Sequence, residues 1–147
     1  MTTSLGRRLL GGMLALLLVS GVAGAQTATA PSVVAHYYRG NAYRDGQGVP
    51  QDDAQAVTWW RKAAAQGYAP AMWALGNAYR IGRGVPKDAV SAYMWFNLGV
   101  ATSGNHFKTI TAEARDAVEK TMTPTQIEAA QKLAREWLAA FEKRGGK

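Results

Sequence analysis

The five residues GNAYR occur twice, at 40–44 and at 76–80, 36 positions apart. One such word constrains little. Two copies in register with their surroundings force the chain into repeated units of one supersecondary structure. Residues 40–67 laid over 76–103 give 13 identities in 28 positions. GNAYRDGQGVPQD lies over GNAYRIGRGVPKD, Ala56 over Ala92, Trp59 over Trp95, Trp60 over Phe96 and, upstream, Ala35 over Ala71. The repeat is a whole unit of about 36 residues rather than a short word.

Each unit reads as two helices. The first runs from about Val34 to Arg44 and again from Pro70 to Arg80. In the second copy Ala71, Leu75, Ala78 and Tyr79 recur at helical spacing. Gly46-x-Gly48-Val49-Pro50 then ends the helix, as does Gly82-x-Gly84-Val85-Pro86 in the copy. Asp52 and Asp88 stand at N-caps of the next helices, where a carboxylate accepts unpaired backbone N–H groups. The second helix carries Ala56, Trp59, Trp60, Ala63 and Ala64 as a stripe. Further on, Ile110, Ala114, Val118 and Met122 recur four apart. Thr123-Pro124-Thr125-Gln126 is a capping-box start with proline at the first helical position. The helix it opens has Ile127, Ala130, Ala134, Trp137, Leu138 and Phe141 on one face. These two helices form a third pair, whose last member caps the stack. Tyr43 and Tyr79 are expected in the core with their hydroxyls on backbone groups. Trp59 and Trp95 are structural too, each beside a second aromatic, with one of each pair open to partial exposure.

The first 25 residues stand apart. Arg7 and Arg8 precede the apolar run LLGGMLALLLV, and Ala23-Gly24-Ala25 supplies small residues for a signal peptidase. The run falls short of the roughly 20 residues a spanning helix needs. The expected products are a cleaved signal peptide and a protein of the bacterial periplasm or beyond, starting after Ala25. Loss of the two arginines takes the formal charge from +7 to +5. That suits an acidic partner or an anionic surface, while export and scattered charge argue against nucleic acid. The absence of cysteine excludes disulfides, thiol nucleophiles, cysteine metal sites and a lipid anchor on cysteine.

Residues 71–96, AMWALGNAYRIGRGVPKDAVSAYMWF, resemble the Sel1-like repeat, a tetratricopeptide-related helix hairpin of about 36 residues. Residues 35–67 match too and end in WWRKAAAQG, although Arg39 stands where the family has leucine. After Phe96 the second unit departs, with NLGVATSG in place of the Lys-Ala-Ala element. The resemblance implies an all-α fold: a right-handed α-solenoid of antiparallel helix hairpins, two repeats plus a C-terminal capping helix pair. The expected organisation is a signal peptide at 1–25, a flexible leader at 26–33, repeats at 34–67 and 70–103, the helix pair at 109–142 and a disordered tail at 143–147. The resemblance also implies a scaffold or adaptor that holds another protein.

No constellation specifies a reaction. His36 and His106 lack metal spacing, Ser103 lacks an elbow motif, and GQGVP and GRGVP lack the lysine-hydroxyl ending of a phosphate loop. No cofactor and no metal are expected. The family register implies that Trp73, Asn77 and Arg80 face the concave side, with Tyr37, Asn41 and Arg44 equivalent in the first unit. Spacings of four and three put each trio on one helical face. Asparagine pairs with a peptide backbone, arginine grips a carboxylate and an aromatic ring packs on side chains. The leading reading is a non-catalytic protein-interaction module of the cell envelope. It binds a peptide or protein segment, acidic or C-terminal, in that groove. Competing readings are a glycan- or peptidoglycan-binding or modifying protein, and a basic protein drawn to anionic lipid or lipopolysaccharide.

Overall fold

The computed structural model describes residues 31–146; the expected signal peptide and residues 26–30 of the leader lie outside them. The described residues form six helices: α1 Val33–Asp45, α2 Asp53–Ala64, α3 Ala69–Ile81, α4 Ala89–Thr102, α5 Asn105–Glu119 and α6 Pro124–Lys143. The fold is an all-α solenoid in which α1–α2 and α3–α4 are the repeated hairpins. Local signals set the boundaries. Asp52 Oδ1 accepts from Gln55 N at 3.0 Å and Asp88 Oδ1 from Val90 N at 3.0 Å. Thr123 and Gln126 close both arms of a capping box at the start of α6. Gly46 (φ 67°) and Gly82 (φ 75°) end α1 and α3 in the left-handed region, where a side chain would be strained. The chain then closes each loop with one bond: Asp52 N–H to Tyr43 O at 2.9 Å, and Asp88 N–H to Tyr79 O at 3.0 Å.

Inside each hairpin an aromatic ring from the second helix rests on a glycine of the first. A Cβ on Gly40 would lie 2.5 Å from Trp60 Cδ1 and Nε1, and one on Gly76 would lie 2.5 Å from Phe96 Cε1. This answers which aromatic of each pair is innermost. Trp60 and Phe96 are buried on the glycines. Trp95 is buried against α6, with its ring 6.2 Å from Trp137. Its counterpart Trp59 has no such cover and is half-buried. The tyrosine hydroxyl behaves differently from expectation. Tyr79 accepts from the Arg61 guanidinium at 2.6 Å, not from backbone, because the neighbouring unit presents that arginine across the joint between the hairpins.

α4 has buried residues around most of its circumference, namely Ala92, Tyr93, Trp95, Phe96, Leu98 and Gly99. A helix with so wide an apolar surface has to be covered from several sides. α3, α5 and α6 do this, each packed against α4. The departure NLGVATSG serves that end: Gly99 admits Thr111, whose Cγ2 would lie 3.0 Å from an added Cβ. α5 therefore begins at Asn105 rather than near 109. It buries Thr111, while Ile110, expected in the stripe, is 43% exposed. At the far end Lys143 still belongs to α6, and Gly146 N–H returns to Phe141 O at 3.1 Å, where a disordered tail from 143 was expected.

Gly76→Ala is expected to lower stability by about 1–2 kcal/mol. Overpacking costs about 1–3 kcal/mol, offset in part by the better helix propensity of alanine. An unchanged urea midpoint would show that the Phe96 ring does not rest on the α3 backbone.

Candidate functional site

The side of the molecule formed by α1, α3 and α5 carries two depressions that share Trp73 and Asn77. One, of ≈ 220 Å³, has Arg44, Trp60, Trp73, Asn77, Ile81 and Arg83 among its walls. The other, of ≈ 370 Å³, lies between α3 and α5 and is lined by Trp73, Asn77, Arg80, Ile110 and Glu113, with Ala114 and Ala117. Ile81 (53% exposed) and Ile110 (43%) are among the most exposed large apolar residues described, and each flanks one depression. Residues four and three apart on a helix share a face, so one side of α3 places Trp73, Asn77 and Arg80 in a row.

The two copies of the asparagine–arginine pair have different partners. Asn77 Oδ1 accepts from Arg80 Nη2 at 2.9 Å and Nε at 3.2 Å, and its amide donates to Trp73 O at 3.2 Å. Among the described residues Arg80 has no carboxylate partner. Asn41 Oδ1 instead accepts from the buried Trp60 Nε1 at 3.1 Å. The cause is one substitution in the repeat: Phe96 replaces Trp60 and has no N–H to satisfy, so Asn77 is released to orient Arg80. Arg44 is held by Asp45 through two bonds of 2.7 and 2.8 Å. The hydrogen bond raises the guanidinium above its ordinary value and holds the Asp45 carboxyl below its own. Tyr37 lies apart from both depressions, edge-on to Tyr38 and Tyr68 at 5.5 and 5.4 Å. Burial pushes the Tyr68 hydroxyl up.

The structure thus brings Arg44, Trp73 and Asn77 to one depression and Trp73, Asn77 and Arg80 to the other, while Tyr37 and Asn41 serve packing. Sequence reasoning missed Arg83, Ile81 and Ile110. Arg83 sits in the loop that ends α3, where the glycines and proline account for the turn and nothing in the sequence marks the arginine. Its Nε is 2.8 Å from Asp53 Oδ1 and its Nη2 donates to Arg44 O at 3.3 Å, tying the loop of unit 2 to unit 1. Ile81 had a signal, since it replaces Asp45 of the first copy at a loop-proximal position.

No group of three or more His, Cys, Asp or Glu side chains that could hold a metal occurs among the described residues. His36 Nδ1 lies 3.3 Å from Gln66 Nε2, and His106 is exposed in the first turn of α5. No described helix is long and apolar enough to cross a membrane.

Residues 33–68 and 69–100, the two hairpins, match the Sel1 repeat. The chain is a Sel1-repeat protein. It is similar to a protective antigen of uropathogenic Escherichia coli that displays an SLR fold. The two are 34% identical at a TM-score of 0.70, over 78% of this chain and 24% of the antigen. It is also similar to a Sel1 repeat protein from Oxalobacter formigenes, 45% identical at a TM-score of 0.50, over 52% of this chain and 58% of that one. The chain therefore spans about a quarter of the first and little more than half of the second. No curated protein matches it. Sel1-repeat proteins generally mediate protein–protein interaction and are typically non-enzymatic scaffolds.

In this Sel1-repeat protein, Asn41→Ala strands the buried Trp60 donor and is expected to cost about 1–3 kcal/mol. Adding Trp60→Phe removes the donor and imports the second repeat's solution. The double variant should then be more stable than the sum of the two single losses, read as coupling in a urea double-mutant cycle. Simple additivity would mean that the indole–amide bond holds nothing.

Proposed function

We propose that this chain is a non-catalytic adaptor of the bacterial cell envelope, holding a peptide or protein segment across the face formed by α1, α3 and α5. The observation that carries it is the row Trp73–Asn77–Arg80 between two depressions, each flanked by an exposed isoleucine. An aromatic wall with exposed aliphatic rims suits apolar side chains of a partner. A pre-oriented guanidinium suits its carbonyl or carboxylate groups. Of the two arginines in the row and its copy, Arg44 is already occupied by Asp45, so Arg80 is the group that reads an acidic side chain or a free C-terminus. The envelope location rests on the charged, apolar and small-residue pattern of residues 1–25.

A photo-crosslinking residue at Ile110 should capture a protein in envelope preparations. Asn77→Ala with Arg80→Ala should reduce that capture at least fivefold without moving the thermal midpoint, since neither side chain is buried. Undiminished capture, or retention only on purified peptidoglycan, would sink the proposal. The location is checked by the N-terminus of the protein expressed in a bacterium: it should be Gln26 in the periplasmic fraction, and an intact Met1 in the cytoplasm would refute export.

A further inference from the structure

Every position in the first repeat has an internal control 36 residues on. In the second repeat Met72, Leu75 and Leu98 are fully buried and Trp95 nearly so, all in the cluster that joins this unit to α2. The equivalent positions of the first repeat are His36, Arg39, Lys62 and Trp59. They assemble in the same way. Lys62 Nζ lies 3.9 Å and Arg39 Cζ 4.6 Å from the Trp59 ring centroid, and the His36 ring lies 5.6 Å from it. The arrangement by which one unit receives the helices of another is kept, and its chemistry is changed from apolar to cationic.

Solubility alone calls for a polar face at the end of a solenoid, which mixed charges would supply. This face carries one sign. The acids of the first repeat, Asp45, Asp52 and Asp53, all stand at the opposite, loop end of the hairpin. Among the described residues neither Arg39 nor Lys62 is in an ion pair. The C-terminal dipole of α2 accounts in part for Lys62 in its last turn; Arg39, in the middle of α1, has no such reason. Stacking on the indole pre-orders both cations. A stacked guanidinium still offers its edge N–H groups to a carboxylate as a fork.

We propose that this end of the first repeat is a second docking surface, taking an acidic helical segment of another protein whose carboxylates meet Arg39 and Lys62 over Trp59. A helix is the shape that the same arrangement accepts in the second repeat, and carboxylates are the groups its cations lack. The surface lies apart from the face formed by α1, α3 and α5, and does not depend on what binds there.

The probe is an acetylated and amidated amphipathic peptide with glutamates along one face, set against its glutamine counterpart, by titration calorimetry with the protein lacking residues 1–25. The glutamate peptide should bind and the glutamine peptide should not. Arg39→Gln with Lys62→Gln should weaken binding roughly tenfold, the sum expected of two exposed ion pairs, with an unchanged thermal midpoint. Lys108→Gln with Lys120→Gln, which removes the same net charge from α5 and its C-cap, should leave binding within twofold. Equal loss in that control would reduce the effect to net charge and overturn the proposal. So would failure of the unsubstituted protein to bind the glutamate peptide. Binding to vesicles containing 30% phosphatidylglycerol without binding the peptide would assign the face to lipid and overturn it as well.

Discussion

The contact between a glycine of one helix and an aromatic ring of the next sets the geometry on which everything else rests. Gly40 and Gly76 have no Cβ, so Trp60 and Phe96 lie directly on the helix backbone. That brings the axes of each hairpin close and fixes their register. Burying such a ring is worth about 1.5–3 kcal/mol, and the close approach makes the hairpin intolerant of any side chain at the glycine. Once the register is set, the four residues after the glycine fall on predictable sides: Asn77 and Arg80 outward, Ala78 and Tyr79 toward the core.

On that common frame single substitutions redirect polar groups. Tryptophan at position 60 demands an acceptor and takes Asn41; phenylalanine at 96 demands none, and Asn77 turns to Arg80. The difference is one N–H group, buried in a place where an unmet donor is costly. The same logic operates on charge. Arg44 is tied to Asp45, but Ile81 replaces that aspartate in the second copy, so Arg80 has no carboxylate beside it in the chain and an apolar group stands beside the first depression. A duplicated word has thus become structural in one unit and exposed chemistry in the other.

The ends of the stack are treated unequally. At one end the positions that would join a preceding unit carry cations on an indole. At the other, α4 is buried around most of its circumference and draws α5 and α6 onto itself, so that Trp137 covers Trp95. One side of α5, freed from the core by the burial of Thr111, contributes Ile110 and Glu113 to the wall facing Trp73 and Asn77. The closing helices therefore shape the candidate site as well as capping the core.

The hairpins, their caps, the GxGVP stops and the family could be read from residue order, because caps, turns and helical stripes are interactions between residues a few positions apart. The row Trp73–Asn77–Arg80 was legible for the same reason, being spaced along one helix. Three things were decided only by packing between segments far apart in the chain. Thr111 rather than Ile110 faces the core, since Gly99 of α4 leaves room for it. Arg83 ties its own loop to the end of α1 and the start of α2, its partners lying 30 and 39 residues earlier. Asn41 and Asn77, set in the same five-residue word, part company because the ring across the hairpin can donate a hydrogen bond in one unit and not in the other. Local order sets which face of a helix a residue occupies; what that face meets is settled by the neighbour, and the neighbour's chemistry cannot be read from the helix itself.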